Sequence, residues 1–273
     1  MGEFLAGDDA DILVVNGYAG TGKTSAIAAV IKSLKDYGIN SVLLAPTGRA
    51  AKVLSSFAGS SAQTIHKCIY RQKSVGSDGF GSFSLSPNKS KDTLFVVDEA
   101  SLIGIDSQGE SQSTLFGTGN LLDDLISFVR AGVDCRLVLI GDSAQLPPVG
   151  MDESPALSHQ FMSSYGGVIF EELSDVVRQA ETSGILRNAT ALRRNMESGC
   201  LKLDLRGCSD VERVRGDQLI DSITSAYETY GEDETIVLCR SNKMAIRYNL
   251  GIRSTVQFKE ERLLRGDKLM VVK

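Results

Sequence analysis

The sequence predicts an α/β fold in which helices flank a mostly parallel sheet. Short apolar runs alternate along its 273 residues with amphipathic helical patterns. A glycine-rich segment ending in Gly-Lys-Thr follows the first run, and polar clusters follow two of the later ones. Strands that alternate with helices predict a parallel sheet covered on both faces. Ligands of such sheets bind at the carboxyl ends of the strands, where these motifs lie.

The individual elements follow from hydrophobic periodicity. The first strand is expected at Asp11–Val15 and the first long helix at Ser25–Tyr37, where apolar residues share one face. Gly38 can end this helix, and the same helical pattern recurs at Asn120–Ala131. The remaining strands are expected, in chain order, at Ser41–Ala45, Leu94–Val97, Arg136–Ile140, Val168–Phe170, Thr235–Cys239 and Lys268–Val272.

Composition restricts the class of protein. Hydrophobic residues make up 42% and charged residues 23% of the chain, as in ordinary globular proteins. No apolar run reaches the roughly 20 residues of a membrane span, so no membrane partner is expected. The five cysteines form no C-x-x-C pair and are odd in number, which favours free thiols in the cytoplasm. The net charge of −5 argues against broad electrostatic binding of nucleic acid but not against a local basic groove.

Residues 17–24 read Gly-Tyr-Ala-Gly-Thr-Gly-Lys-Thr and fit the pattern G-x-x-x-x-G-K-[ST]. Their glycines let the backbone N–H groups turn towards phosphate oxygens. Lys23 adds a charge for the β- and γ-phosphates, and Thr24 offers a hydroxyl to Mg²⁺. A plain glycine turn is the alternative, which the preceding strand and following helix disfavour. The expected nucleotide-binding residues are Gly17, Ala19, Gly20, Thr21, Gly22, Lys23, Thr24 and Ser25.

Two adjacent carboxylates, Asp98 and Glu99, follow the apolar strand Leu94–Val97. Alternation along a strand directs them differently, so Asp98 can hold Mg²⁺ while Glu99 polarises the attacking water. Alone, an Asp-Glu pair would more often be a solvated strand end. Its position downstream of a phosphate-binding loop favours the catalytic interpretation.

A third polar cluster, Gly141-Asp142-Ser143-Ala144-Gln145, follows another apolar strand. Gln145 is long and neutral and can donate to a γ-phosphate oxygen. The alternative is that Asp142 and Gln145 are ordinary turn residues, and spacing alone leaves both interpretations open.

Taken together, the motifs resemble those of the RecD-like helicases, superfamily 1 motors that move 5′ to 3′ on single-stranded DNA. The resemblance covers nearly the whole chain, and Gly-Asp…Gln-Leu-Pro-Pro-Val is its most specific part. The segments that carry it are Gly17–Thr24, Ala45–Ala51, Thr64–Lys67, Val97–Ser101, Gly141–Val149 and Val176–Gln179 and, more loosely, Cys239–Asn242.

The resemblance implies roles for further residues. Gln145 would contact the γ-phosphate, and Arg178 would reach the transition-state charge from a second RecA-like domain, the alternative being a surface ion pair. With Lys23 and Glu99, these two complete the expected catalytic set. The implied DNA contacts are Pro46, Thr47, Gly48, Arg49, Thr64 and His66.

Two of these implications have alternatives. His66 could equally be a satisfied histidine near the core, and two histidines provide no metal cluster. Gln72–Asp92 and Gly104–Asn120 are rich in Ser and Gly and are expected to be mobile surface loops. Related helicases insert a small β-hairpin at the first of these, where Phe80 and Phe83 could form its tip or a stacking surface.

The expected organisation is a RecA-like domain at residues 1–160 and a partial second RecA-like domain at 165–273. The chain lacks the family's adenine-reading segment and later motifs, so it is expected to be a fragment. The expected function is an ATP-dependent DNA helicase of repair or recombination, with ATP and Mg²⁺ as cofactors and single-stranded or forked DNA as partner. Partner subunits, such as a nuclease, are left open. The alternatives are an ATPase of another class and a nucleotide-binding module without turnover.

Overall fold

The computed structural model describes residues 2–7, 9–18, 20–75, 81–105, 116–173, 183–196, 199, 201–261, 263–264 and 267. The chain divides into two compact units, Met1–Ala180 and Glu181–Lys273. The first unit therefore extends beyond residue 160, because the strand at Val168–Leu173 belongs to its sheet. Among the described residues, no helix combines the length and apolarity that a bilayer crossing requires.

The first unit is built on a six-stranded sheet of order β3-β2-β6-β7-β1-β8, in which every pairing is parallel. This confirms the predicted fold class, and the first five predicted strands all form. The strands are β1 (Ile12–Gly17), β2 (Asn40–Ala45), β3 (Ala62–Thr64), β4 (Tyr70–Val75), β5 (Gly81–Leu85), β6 (Thr93–Val97), β7 (Arg136–Gly141) and β8 (Val168–Leu173).

Burial explains the strand sequences. All five residues of β6 and the last five of β7 are buried, since both strands are central and covered on both faces. The edge strand β8 alternates between half-buried and exposed positions over most of its length. Its short apolar run is thus the signature of a sheet edge.

Helices cover both faces of the sheet. Leu13 and Leu43 pack with α2 and α3 on one face, while Val14 and Leu44 pack with α4 and α5 on the other. Asn120, the first residue of the predicted helical pattern, caps α5 by accepting a hydrogen bond from the Asp123 amide at 3.1 Å. The helices of this unit are α1 (Gly2–Ala6), α2 (Lys23–Asp36), α3 (Gly48–Ala58), α4 (Ile65–Ile69), α5 (Leu121–Arg130) and α6 (His159–Met162).

A β-hairpin occupies part of the stretch that was expected to be a mobile loop. Strands β4 and β5 pair antiparallel, and the Phe83 ring stacks on Phe116 with centroids 4.6 Å apart. The expectation of a mobile loop is therefore wrong for β4 and β5, and the alternative of a small β-hairpin is confirmed, with Phe83 anchoring β5 to the core. Phe83 is accordingly not a free stacking surface, and Phe80 lies outside the described residues.

The described residues of the second unit form helices and connecting segments, with no strand among them. The strand expected at Thr235–Cys239 is therefore wrong, and that at Lys268–Val272 lies outside the described residues. A second RecA-like domain stays a prediction. The helices are α7 (Gly184–Arg194), α8 (Leu219–Tyr230) and α9 (Asn242–Gly251), with a π-helical turn at Ile252–Val256.

Candidate nucleotide-binding site

The phosphate-binding loop joins the end of β1 to the start of α2. Gly20 and Gly22 adopt φ values of 87° and 82°, the left-handed conformations for which the motif requires glycine. Glycine is needed at position 17 for a different reason, since a Cβ there would lie 2.9 Å from Leu173 Cβ on β8. Two of the motif's glycines therefore shape the loop, and the third lets two strands approach.

Lys23 begins α2 and folds back over this loop. Its ammonium donates hydrogen bonds to the carbonyl oxygens of Gly17 and, at 2.9 Å, of Tyr18. Thr21 Oγ1 donates to the same Tyr18 oxygen at 2.8 Å. Thr24 and Ser25 follow in the first turn of α2, and Ala19 lies outside the described residues.

The acidic pair lies at the carboxyl end of β6. Asp98 Oδ1 accepts a hydrogen bond from the Glu99 amide at 2.9 Å, and Glu99 has a φ of 56°. Burial raises the pKa of Asp98, while the Glu99 amide and the Lys23 charge oppose that rise. Burial also raises the pKa of Glu99, and the charges of Asp98 and Asp142 add to the effect. One lysine and three carboxylates therefore share this site.

The third cluster forms a tight turn after β7. Asp142 is 1% exposed; its Oδ1 accepts from the Ala144 amide at 2.9 Å, and its backbone oxygen accepts from the Gln145 amide at 3.0 Å. Asp142 Oδ2 is buried without a hydrogen-bond partner. Asp142 is thus a turn residue and also a charge at the site. Gln145 lies exposed at the end of the turn.

The donor set fits a magnesium ion bound together with phosphates. Within the described ranges, no group of three or more His, Cys, Asp or Glu side chains forms a metal cage. Mg²⁺ in nucleotide sites usually takes one or two protein ligands and completes its shell with water and phosphate oxygens. Asp98 and the unpartnered Asp142 Oδ2 supply hard carboxylate oxygens of that kind.

One contact at this site was not found by sequence reasoning. Asn16 Nδ2 donates to Ser143 Oγ, and the Ser143 amide donates to Asn16 Oδ1, both at 3.0 Å. These residues are 127 positions apart, so no local pattern could pair them. The available signal was a polar residue inside an otherwise apolar strand, next to the phosphate-binding loop.

The expected DNA-contacting segments lie together at the same edge of the sheet. Ala45 of β2 pairs in register with Thr64 of β3, so the segments that follow both strands are neighbours. Thr47 caps α3 by accepting from the Ala50 amide at 3.2 Å, and its neighbours Gly48 and Arg49 are exposed. Thr64 caps α4 in the same way through the Lys67 amide, and Pro46 is half-buried.

His66 lies in an aromatic cluster with Tyr70 and Phe116, at centroid distances of 5.6 and 5.3 Å. Burial lowers the pKa of His66, which favours the neutral imidazole. The cluster rests on Asp124, whose carboxylate accepts from the Tyr70 hydroxyl at 2.7 Å. These contacts support the structural alternative for His66, and its DNA contact stays a prediction. Arg178 lies outside the described residues.

These features define a P-loop NTPase: a glycine-rich loop follows β1, an acidic pair follows β6, and a polar turn follows β7, which lies between those two strands in the sheet. The chain belongs to the AAA domain family AAA_30, whose family model matches residues 2–215.

Known relatives include two DNA helicases. The chain is 31% identical over 181 residues to the ATP-dependent RecD2 DNA helicase of Deinococcus radiodurans, covering 66% of this chain and 21% of the relative. It is 27% identical over 164 residues to the ATP-dependent DNA helicase dda of Enterobacteria phage T4, covering 55% and 31%. These matches confirm the resemblance to RecD-like helicases. The chain therefore spans about a fifth to a third of the length of these relatives.

Among solved structures, the Pif1 helicase from Candida albicans aligns over 88% of this chain and 57% of its own. The sequence identity is 20% and the TM-score 0.43. The fold assignment rests on the six parallel strands themselves.

Proposed function

We propose that this chain forms the ATP-hydrolysing part of an ATP-dependent DNA helicase that acts on single-stranded DNA. The observation that carries the proposal is that Lys23, Asp98 and Asp142 follow the neighbouring strands β1, β6 and β7 at the carboxyl edge of the sheet, with Glu99 next to Asp98. Two relatives are named as ATP-dependent DNA helicases, which supports the same activity here. The proposal includes a role in DNA repair or recombination, single-stranded or forked DNA as the substrate, and ATP and Mg²⁺ as the cofactors.

The chemistry follows from the positions of the side chains. The loop amides and Lys23 hold the β- and γ-phosphates, while Thr24 and Asp98 would hold Mg²⁺. When bound, Mg²⁺ neutralises charge on the phosphate oxygens. Glu99 orients the attacking water, and Gln145 contacts the γ-phosphate. Arg178 supplies a further positive charge in the transition state.

The edge formed by Pro46, Thr47, Gly48, Arg49 and Thr64 binds the DNA backbone. Exposed hydroxyls, amide groups and one guanidinium suit phosphate contact without base readout, as a motor that moves along any sequence requires. The chain carries a net charge of −5, so this contact is local rather than spread over the surface.

The test measures steady-state ATP hydrolysis with and without a single-stranded oligonucleotide. We expect turnover that DNA stimulates and that Lys23→Ala reduces by about a thousandfold or more, because the β- and γ-phosphates lose their cation. Lys32→Ala, an exposed position on the same helix, is the matched control and should behave as wild type. An ATP hydrolysis rate that does not change when DNA is added would contradict the helicase assignment. A chain that does not hydrolyse ATP would contradict the proposed ATPase activity.

The DNA edge is tested in the same assay. Arg49→Ala should raise the oligonucleotide concentration needed for half-maximal stimulation several-fold and should leave basal turnover unchanged. Lys52→Ala, also exposed on α3, is the control for general charge loss. Equal effects of the two substitutions would contradict a specific contact at Arg49.

A further inference from the structure

The turn that carries Gln145 is attached to the phosphate-binding loop through one asparagine. Asn16 immediately precedes Gly17, and its side-chain amide forms two hydrogen bonds of 3.0 Å with Ser143. One bond uses the amide as donor to the hydroxyl, and the other uses it as acceptor from the backbone N–H. The reciprocal pair fixes both the distance and the orientation of the two segments.

Hydrogen bonds hold the turn together, so the position of its centre affects where Gln145 lies. Inside the turn, Asp142 accepts hydrogen bonds from the Ala144 and Gln145 amides. Ser143 is in the middle of this turn and is two residues from Gln145. The turn continues β7 along the chain, and the Ser143 contact ties its centre to the end of β1 as well.

We propose that Asn16 is a positioning residue that, through Ser143, fixes Gln145 relative to the γ-phosphate. The proposal rests on the proposed function of the site. The parallel sheet alone holds β1 and β7 through backbone bonds up to the pairing of Asn16 with Gly141. Beyond Gly141, the Asn16–Ser143 contact continues the connection by side chain. Because reacting groups must be placed to within about 1 Å, a small displacement of Gln145 would lower turnover.

The main test is a double-mutant cycle on steady-state ATP hydrolysis with Asn16→Ala, Ser143→Ala and the double variant. Asn16→Ala removes both bonds and should lower kcat about tenfold and raise the KM for ATP several-fold, because the contact of Gln145 with the γ-phosphate is weakened. Ser143→Ala keeps its backbone N–H and should cost about threefold. The double variant should match Asn16→Ala, because no further bond is lost. Additive losses would overturn the proposal, since Asn16 and Ser143 would then act separately.

A second readout needs no turnover and separates this proposal from the proposed function. Fluorescent ATP and ADP analogues, titrated in the presence of Mg²⁺, should show that Asn16→Ala weakens ATP binding several-fold and leaves ADP binding unchanged. Equal weakening for both nucleotides, or no change for either, would overturn the positioning role even if wild type hydrolyses nothing. Asn40→Ala, an exposed asparagine at the start of β2, is the matched control and should leave both affinities unchanged.

Discussion

The buried contact between Tyr70 and Asp124 supports a sharp stability prediction for Tyr70→Phe. Tyr70 is 8% and Asp124 3% exposed, and the phenol donates to Oδ2 at 2.7 Å. Burial and the neighbouring carboxylate raise the pKa of Tyr70 well above its usual range, so the phenol stays a proton donor at neutral pH. The substitution keeps the ring, with its contact to Phe116 at 5.5 Å, and removes only the hydroxyl.

The expected loss is one charge-assisted hydrogen bond. Such bonds contribute about 1.5–3 kcal/mol to the free energy of unfolding. Asp124 keeps its two bonds from Thr118, so the carboxylate remains partly satisfied and the loss should not exceed that range. At about 2–4 °C per kcal/mol, Tm should fall by roughly 3–12 °C.

Urea and thermal unfolding of the wild type and of Tyr70→Phe would measure this loss. Tyr37→Phe is the control, because Tyr37 is 82% exposed and its substitution should change the free energy of unfolding by less than about 0.5 kcal/mol. A loss of less than about 0.5 kcal/mol for Tyr70→Phe would refute the reasoning. Thr118 alone would then be sufficient to solvate the carboxylate.

Two other substitutions give contrasting results. Asp98→Asn should abolish hydrolysis yet raise Tm by a few degrees at neutral pH, because burial disfavours the native carboxylate. The raised pKa means that Asp98 binds a proton more tightly in the native state than in the unfolded chain. Wild type should therefore gain stability as the pH falls towards about 4, and the advantage of the variant should disappear. Calorimetry across that pH range measures whether stability rises or falls. Gly117→Ala would place a Cβ 2.0 Å from Asp124 Oδ2 and should cost more than about 3 kcal/mol, measured by urea unfolding. Gly59→Ala, at a similar positive φ in open space, should cost only about 1 kcal/mol, and equal costs would contradict the steric reasoning.

Sequence reasoning located the central sheet because its signals are local. A short apolar run such as Leu94–Val97 can bury all its side chains in few ways other than as a strand covered on both faces. The polar residues directly after these strands then share one edge by topology alone. The helix predicted at Asn120–Ala131 begins one residue later, because Asn120 is its cap, a contact that needs only the helix itself.

The contacts that sequence reasoning missed are non-local. Strand β5 packs on the core through the contact between Phe83 and Phe116, which are far apart in the sequence. Asn16 contacts Ser143 only after the sheet has formed. The strand expected at Thr235–Cys239 failed for the complementary reason. Its apolar residues Ile236 and Leu238 are exposed, and a strand needs a partner strand as well as an apolar run.

The left-handed backbone of Glu99 has a consequence for how this sequence can vary. A residue with a Cβ is disfavoured at a φ of 56°, and glycine would adopt it without cost. The same side chain is half-buried beside two other acids, which adds a second penalty. A library of this chain screened only for folding should therefore drift to glycine at position 99. A screen for hydrolysis should keep glutamate, so the difference between the two screens would measure how strongly selection opposes the backbone's own preference.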